Sequence, residues 1–260
     1  IENLIYKFAS QRRIKQHFMS KSVIIIPSRL AATRLPNKPL IKIKNKSLIM
    51  HVYEKAIKSN SGDVYVATCD KEIADEVDKN GGKFIMTSAT HLSGTDRVYE
   101  ACKKLNLQNI DYVINLQGDE PMINPEDIKN LNLISKFNNF NFSTLAFDIK
   151  NKDDYLKKSV VKVKTNNKIS ISMASTASYF YRKIFSNYDN VYHHYGVYLY
   201  KLPILEKFVK LKRSDNEINE NLEQLRALDN KINIHVLLAK QLSFGIDTKQ
   251  DLHNYAKYIN

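Results

Sequence analysis

The apolar positions of the chain change period several times, and those changes divide it into elements. Val23-Ile24-Ile25-Ile26 is a β-branched run closed by Pro27, the pattern of a strand buried on both faces. Ile41-Lys42-Ile43 predicts a brief extended piece. Ser47 can cap a helix, and Leu48, Val52, Ala56 and Ile57 share one stripe, which predicts a helix over 47–60. Val64–Ala67 reads as the second core strand. Asp70 is placed to cap a helix through Ile73, Ala74 and Val77 that ends at Gly81-Gly82, and Lys83–Met86 follows as a third strand. Strand, helix, strand, helix, strand at this spacing predicts a parallel sheet with right-handed crossovers.

A polar stretch, Thr87–Thr95, leads to a helix starting at Thr95 or Asp96 and carrying Val98, Ala101, Cys102 and Leu105. Tyr112–Leu116 is a central strand that runs into the polar turn Gln117-Gly118-Asp119-Glu120-Pro121. Asn124-Pro125-Glu126 then begins another helix with proline at its first position. From Phe142 the pattern becomes extended, over Phe142–Asp148, Val160–Lys164, Ile169–Ser172 and Tyr195–Tyr200, with Asn166-Asn167 as a tight turn of a protruding hairpin. A helix over 221–230, a strand over 232–239 and a last helix from near Thr248 complete the chain. No internal repeat is present. The expected architecture is a single α/β domain over 19–260 with an embedded smaller mixed lobe at about 150–215. Residues 1–18 are basic, precede Met19 and are expected to be a non-essential extension.

Composition narrows the class. At 260 residues and 43% hydrophobic content the chain can bury a sizeable core. No apolar run approaches the roughly 20 residues of a membrane span, so no membrane partner is expected. Cys69 and Cys102 are too few for a disulfide framework and lack metal-ligand spacing, which favours a reducing, cytoplasmic setting. The formal charge of +13 would suit nucleic acid or an anionic small molecule. The basic residues are scattered, however, with no stripe of interleaved aromatics, so nucleic acid is not expected as a partner.

Two stretches carry candidate chemistry. Ser28–Pro39 follows the first strand and holds Arg29, Arg34 and Lys38; its prolines and Asn37 keep these cations off one helix, so they can converge on a polyphosphate. The same loop could be a solvated basic loop in a lysine-rich protein. Asp119 leaves the end of a buried strand, a common position for a metal ligand and also for a residue that only caps a turn.

Ile26-Pro27-Ser28-Arg29 with Thr33–Leu40, then Ser93–Arg97, Asn115–Pro121, Tyr195–Tyr198, Leu222–Arg226 and Ile246–Thr248 occur in the order found in the 3-deoxy-manno-octulosonate (Kdo) cytidylyltransferases, which the chain resembles from about residue 21 to 260. The resemblance implies a nucleotidyltransferase fold with a mainly parallel Rossmann-like sheet flanked by helices. It also implies that the 2-hydroxyl of a keto-deoxy sugar acid attacks the α-phosphorus of CTP, giving CMP-Kdo for lipopolysaccharide synthesis and pyrophosphate. Arg29, Arg34 and Lys38 match triphosphate-contacting positions, and Asp119 and Asp247 match carboxylates that bind Mg2+. Gln117, His194, Tyr198, Glu223 and Gln224 resemble sugar-acid contacts, while Ser93, Thr95 and Arg97 fall where the family approaches cytosine and ribose. A homodimer is implied as well.

The chain departs from the family pattern in three places. Asn37 stands for a usual glycine, a change a left-handed backbone tolerates, and Cys69 replaces an acidic residue ahead of Asp70. Between Ile169 and Tyr179 a Ser-Arg pair is missing, and the next arginine is Arg182. Either Arg182 or another cation then faces the sugar carboxylate, or the sugar is different, such as an 8-amino analogue or a sialic acid. A nucleotide- or RNA-binding protein without catalysis is a further alternative.

Overall fold

The computed structural model describes residues 20–31, 35–106, 110–241, 243 and 245–259. Residues 1–18 and Arg34 therefore lie outside the described residues. The chain forms two compact units, one of residues 21–129 with 243–260 and the other of 130–242, and the stretch at about 150–215 expected as a lobe falls within the second.

In the first unit, β1 (Lys21–Ser28) pairs in parallel with β4 (Asp63–Thr68) on one side and β6 (Ile110–Leu116) on the other, and β5 (Phe84–Met86) extends the sheet beyond β4. Val23 to Ile26 are fully buried, as a β-branched run covered on both faces should be. Helices Leu48–Lys58, Lys71–Lys79 and Gly94–Lys104 supply the crossovers. A small hairpin of β2 (Lys42–Ile43) and β3 (Lys46–Ser47) precedes the first of them. Gly62, just ahead of β4, has φ +142°, and a Cβ there would lie 2.0 Å from the Ser22 carbonyl oxygen, so this close approach of two backbones requires glycine.

The helix caps differ from the sequence expectation in instructive ways. Ser93, rather than Thr95 or Asp96, starts its helix, with its hydroxyl accepting from the Asp96 amide at 3.1 Å. Asp70 stands at the N-cap position without using its side chain there; its carboxylate instead accepts from the Leu30 amide at 2.8 Å and holds the loop that leaves β1. Thr248 caps the last helix, Lys249–Tyr258, in a reciprocal capping box with Asp251.

The second unit has a different pairing scheme. Here β7 (Phe142–Asp148) lies between β10 (Val191–Lys201), antiparallel, and β11 (His235–Leu238), parallel. Next to β11 is β9 (Ser175–Tyr181), which forms an antiparallel hairpin with β8 (Lys162–Thr165). The first residues of β10 also pair with β8, so these five strands close on themselves. The expectation of a mainly parallel sheet thus holds for β1, β4, β5 and β6 and is corrected to a mixed sheet overall. Ile169–Ser172, expected as a strand, is a turn in which the Ser170 amide bonds to the Met173 carbonyl. The helix expected over 221–230 is confined to Leu225–Asp229, because Asn221 takes a left-handed conformation and ends the preceding helix, Asp215–Glu220. No helix among the described residues is long and apolar enough to cross a membrane.

Candidate active site

A cavity of about 340 Å³ opens at the carboxyl ends of β1 and β6, the place where open parallel sheets receive ligands. Pro27, Ser28 and Arg29 line it from the end of β1, and Gln117, Gly118 and Asp119 line it from the end of β6. Gly118 allows the approach of the two strand ends, since a Cβ there would lie 3.0 Å from the Pro27 carbonyl oxygen. Lys38, His91, Ser93, Arg97 and Asp247 complete the polar lining.

Lys38 is at the centre of the charge arrangement. It follows Asn37, whose backbone is left-handed at φ 54°, the conformation that its asparagine accommodates in place of glycine. The ammonium donates to Asp119 Oδ2 at 2.8 Å and to Asp247 Oδ1 at 3.1 Å. Burial disfavours its charge, but the two carboxylates outweigh burial and raise its pKa above the ordinary lysine value. Three separated segments meet here, and one apolar cluster supports all of them. Leu35 precedes Lys38, Met122 follows Asp119 and Ile246 precedes Asp247, and these pack together with Ile43, Leu48 and Tyr255. The capping role that Asp247 could have taken belongs to Thr248 and Asp251, which leaves the Asp247 carboxylate to face Lys38.

Beside the pair lies Glu120, a buried carboxyl. Burial, and then the neighbouring Asp119 and Asp247, push its pKa well above the ordinary carboxyl range. The charged groups lining the cavity are the carboxylates of Asp119 and Asp247, the Lys38 ammonium and the guanidinium groups of Arg29 and Arg97.

The donor set fits a magnesium ion. Two carboxylate oxygens from distant segments already converge on one cation, the Lys38 ammonium, within 3.1 Å. Among the described residues no group of three or more His, Cys, Asp or Glu side chains is placed to hold a metal. Magnesium requires no such group, because one or two carboxylates suffice when substrate phosphates and water complete the octahedron.

Of the residues expected to approach the nucleoside, Ser93 and Arg97 line the cavity and Thr95 does not. Thr95 is 1% exposed, and its hydroxyl accepts from Asn115 Nδ2 at 3.3 Å. Asn115, fully buried on β6, in turn accepts from Gln117 Nε2 at 3.0 Å. Thr95 thus acts behind the cavity, fixing Gln117 through Asn115. His91 does not stand out in the sequence, being one polar residue in a polar stretch; Asn115 opens the Asn115–Pro121 motif, but only its interruption of an apolar strand hinted at this supporting role.

The remaining expected sugar contacts lie in the 130–242 unit. The His194 ring is buried, with Nε2 at 3.0 Å from the Thr144 hydroxyl, and packs edge-on to Phe180 and beside Tyr198. Burial, with neighbouring positive charge adding to it, lowers its pKa to about 3, so it is neutral at physiological pH. The Tyr198 hydroxyl donates to Gln224 Oε1 at 3.4 Å. Glu223 lies 3.7 Å from Arg226, whose guanidinium forms a two-point pair with Glu217 at 2.8 and 2.7 Å. Arg182, one candidate for the missing cation, has a guanidinium committed to the carbonyl oxygens of Glu220, Asn221 and Lys158. Those bonds give it a structural task at the end of helix Asp215–Glu220.

Residues 23–234 match the cytidylyltransferase family. The chain is 45% identical over 250 residues to the 3-deoxy-manno-octulosonate cytidylyltransferase of Thermodesulfovibrio yellowstonii, covering 92% of this chain and 98% of the relative. It is 39% identical over 237 residues to the enzyme of that name from Rickettsia rickettsii, covering 90% and 95%. A solved structure of CMP:2-keto-3-deoxy-manno-octonic acid synthetase complexed with CTP superposes with a TM-score of 0.83 at 36% identity, covering 92% and 98%.

Proposed function

The chain belongs to the 3-deoxy-manno-octulosonate cytidylyltransferase family, and we propose that it transfers CMP from CTP to the 2-hydroxyl of Kdo, releasing pyrophosphate. The observation that carries this reading is the convergence of Lys38, Asp119 and Asp247 in a cavity at the end of two parallel strands. Nucleotidyl transfer needs alignment and charge neutralisation more than a protein nucleophile. The cysteines agree with that requirement: burial pushes the Cys102 thiol up to about 12, and Cys69 is outside the cavity lining.

The roles follow from chemistry. Arg29, at the cavity mouth, offers a planar fork to phosphate oxygens, and Arg34 is assigned the same task from the family pattern. Lys38 supplies a compact charge for the oxygens that leave as pyrophosphate. Asp119 and Asp247 would hold Mg2+, which when bound polarises phosphate oxygens and lowers the pKa of a ligated hydroxyl. Gln117, locked by Asn115 and Thr95, presents its amide to the sugar, and His194, Tyr198, Glu223 and Gln224 are assigned to the sugar hydroxyls. A cytoplasmic homodimer that feeds lipopolysaccharide synthesis completes the proposal.

Incubation with CTP, Mg2+ and one sugar acid at a time, followed by pyrophosphate release, tests the reading. Release with Kdo, well above that with an 8-amino analogue or a sialic acid, is expected. Release with a sialic acid and none with Kdo would replace Kdo as the substrate.

A further inference from the structure

We propose that His91, oriented by Glu100, accepts a hydrogen bond from a donor group on the nucleoside of CTP, the cytosine amine or a ribose hydroxyl. The inference rests on the reading of the cavity as a CTP site.

His91 lines the cavity, and its Nε2 meets Glu100 Oε2 in a close contact. The carboxylate is held from two further directions, by the Ser88 amide at 2.8 Å on Oε2 and by Lys104 Nζ at 2.8 Å on Oε1. Burial opposes the charge of Glu100, but the bonds from Lys104, Ser88 and His91 outweigh it and lower its pKa to about 2. An ionised carboxylate only accepts, so a hydrogen lies on His91 Nε2, and the tautomer that this contact selects carries its lone pair on Nδ1. Among the described residues Nδ1 has no hydrogen-bond partner.

The other polar groups on this wall are engaged. The Ser93 hydroxyl donates to Asp96 Oδ2 at 2.9 Å while accepting from the Asp96 amide, and Arg97 donates to the Thr87 hydroxyl. His91 is left as an acceptor aimed by its partner. Phosphate oxygens are themselves acceptors and would repel that lone pair. A nucleoside, by contrast, offers an amine and hydroxyls. The acceptor also discriminates, since uracil presents a carbonyl oxygen where cytosine presents the amine. Glu100 touches no substrate in this scheme and is a positioning residue.

The test is steady-state kinetics at saturating sugar acid and pH 7.5 with CTP, UTP, 2′-deoxy-CTP and 3′-deoxy-CTP. His91→Phe is expected to raise KM for CTP about tenfold with kcat within about twofold, the pattern of a lost binding contact. The penalty should disappear for the one analogue that lacks the bonded donor, UTP for the amine or a deoxynucleotide for the hydroxyl. Glu100→Leu should reproduce the defect and Glu100→Gln, which keeps an acceptor for Nε2, should restore most of it. The double variant His91→Phe/Glu100→Leu should be no worse than His91→Phe alone. His91→Asn retains an acceptor and serves if the phenylalanine variant unfolds, with CTP KM close to wild type expected. An unchanged KM in His91→Phe, an equal penalty on all four nucleotides, or a tenfold loss in His91→Asn overturns the inference. Absence of pyrophosphate release by the wild type with any sugar acid would instead overturn the CTP reading.

Discussion

The backbone amide of Ile246 donates to the carbonyl of Asp119 across 2.8 Å, so the turn after β6 and the segment carrying Asp247 are joined directly. That bond, and the apolar cluster under it, explain how two carboxylates far apart in sequence come to share one ammonium.

Lys38→Met removes the only side chain that bridges Asp119 and Asp247 among the described residues. Loss of a fixed charge at developing phosphate charge is expected to lower kcat by roughly 10²–10³-fold, and a stopped pyrophosphate assay measures it. The variant should fold, because the cluster of Leu35, Met122 and Ile246 is untouched.

Asn37→Val places a β-branched residue at φ 54°, a left-handed conformation that glycine and asparagine adopt far more readily. The cost should be about 1–2 kcal/mol of stability by denaturant titration, together with a raised KM for CTP as Lys38 shifts. Asn37→Gly should be close to wild type in both measurements.

Thr95→Val removes the hydroxyl that anchors Asn115 and hence Gln117, at nearly constant volume. A loss of about 1–2 kcal/mol in stability is expected from the unmade buried hydrogen bond. Because Gln117 is assigned to the sugar, KM for the sugar acid should rise more than KM for CTP.

Glu217→Gln leaves the Arg226 guanidinium buried without its two-point carboxylate partner and should destabilise the fold by roughly 3–5 kcal/mol near neutral pH. In the wild type the burial of Glu217 is outweighed by bonds from Arg226 and Arg213, which hold its pKa below the ordinary value. A depressed folded pKa gives stability that is present above the unfolded pKa, about 4.3, and lost as pH falls through the folded value. The stability gap between wild type and variant, measured by denaturation across pH 7 to 3, should therefore narrow toward acid.

Much of this could be read from the sequence, for identifiable reasons. The fully buried stretch Val23–Ile26 announces itself through an uninterrupted apolar run, and Asp119 lies in a polar turn directly after the apolar strand Tyr112–Leu116. What the sequence left open depended on tertiary choices. Asp70 has the composition of a helix cap, and only the position of Leu30 decides that its carboxylate holds the loop instead. Thr95 looks like a ligand contact until Asn115 is seen to occupy its hydroxyl. Ile169–Ser172 has strand-like residues, but its backbone turns back at Met173 and the strand begins at Ser175. Arg182 could have been the missing sugar-binding cation on charge alone; three carbonyl oxygens take its guanidinium.

The most direct measurement is 31P NMR of CTP, Mg2+ and Kdo with wild-type protein and, in parallel, with Asp119→Asn, which replaces a carboxylate by an amide of the same shape. Wild type should convert the triphosphate signals to a phosphodiester and pyrophosphate in equal amounts, while Asp119→Asn, folded to the same extent, should leave CTP intact over the same period. Product formed by Asp119→Asn at a near-normal rate, or CTP left unconverted by the wild type, would contradict the account.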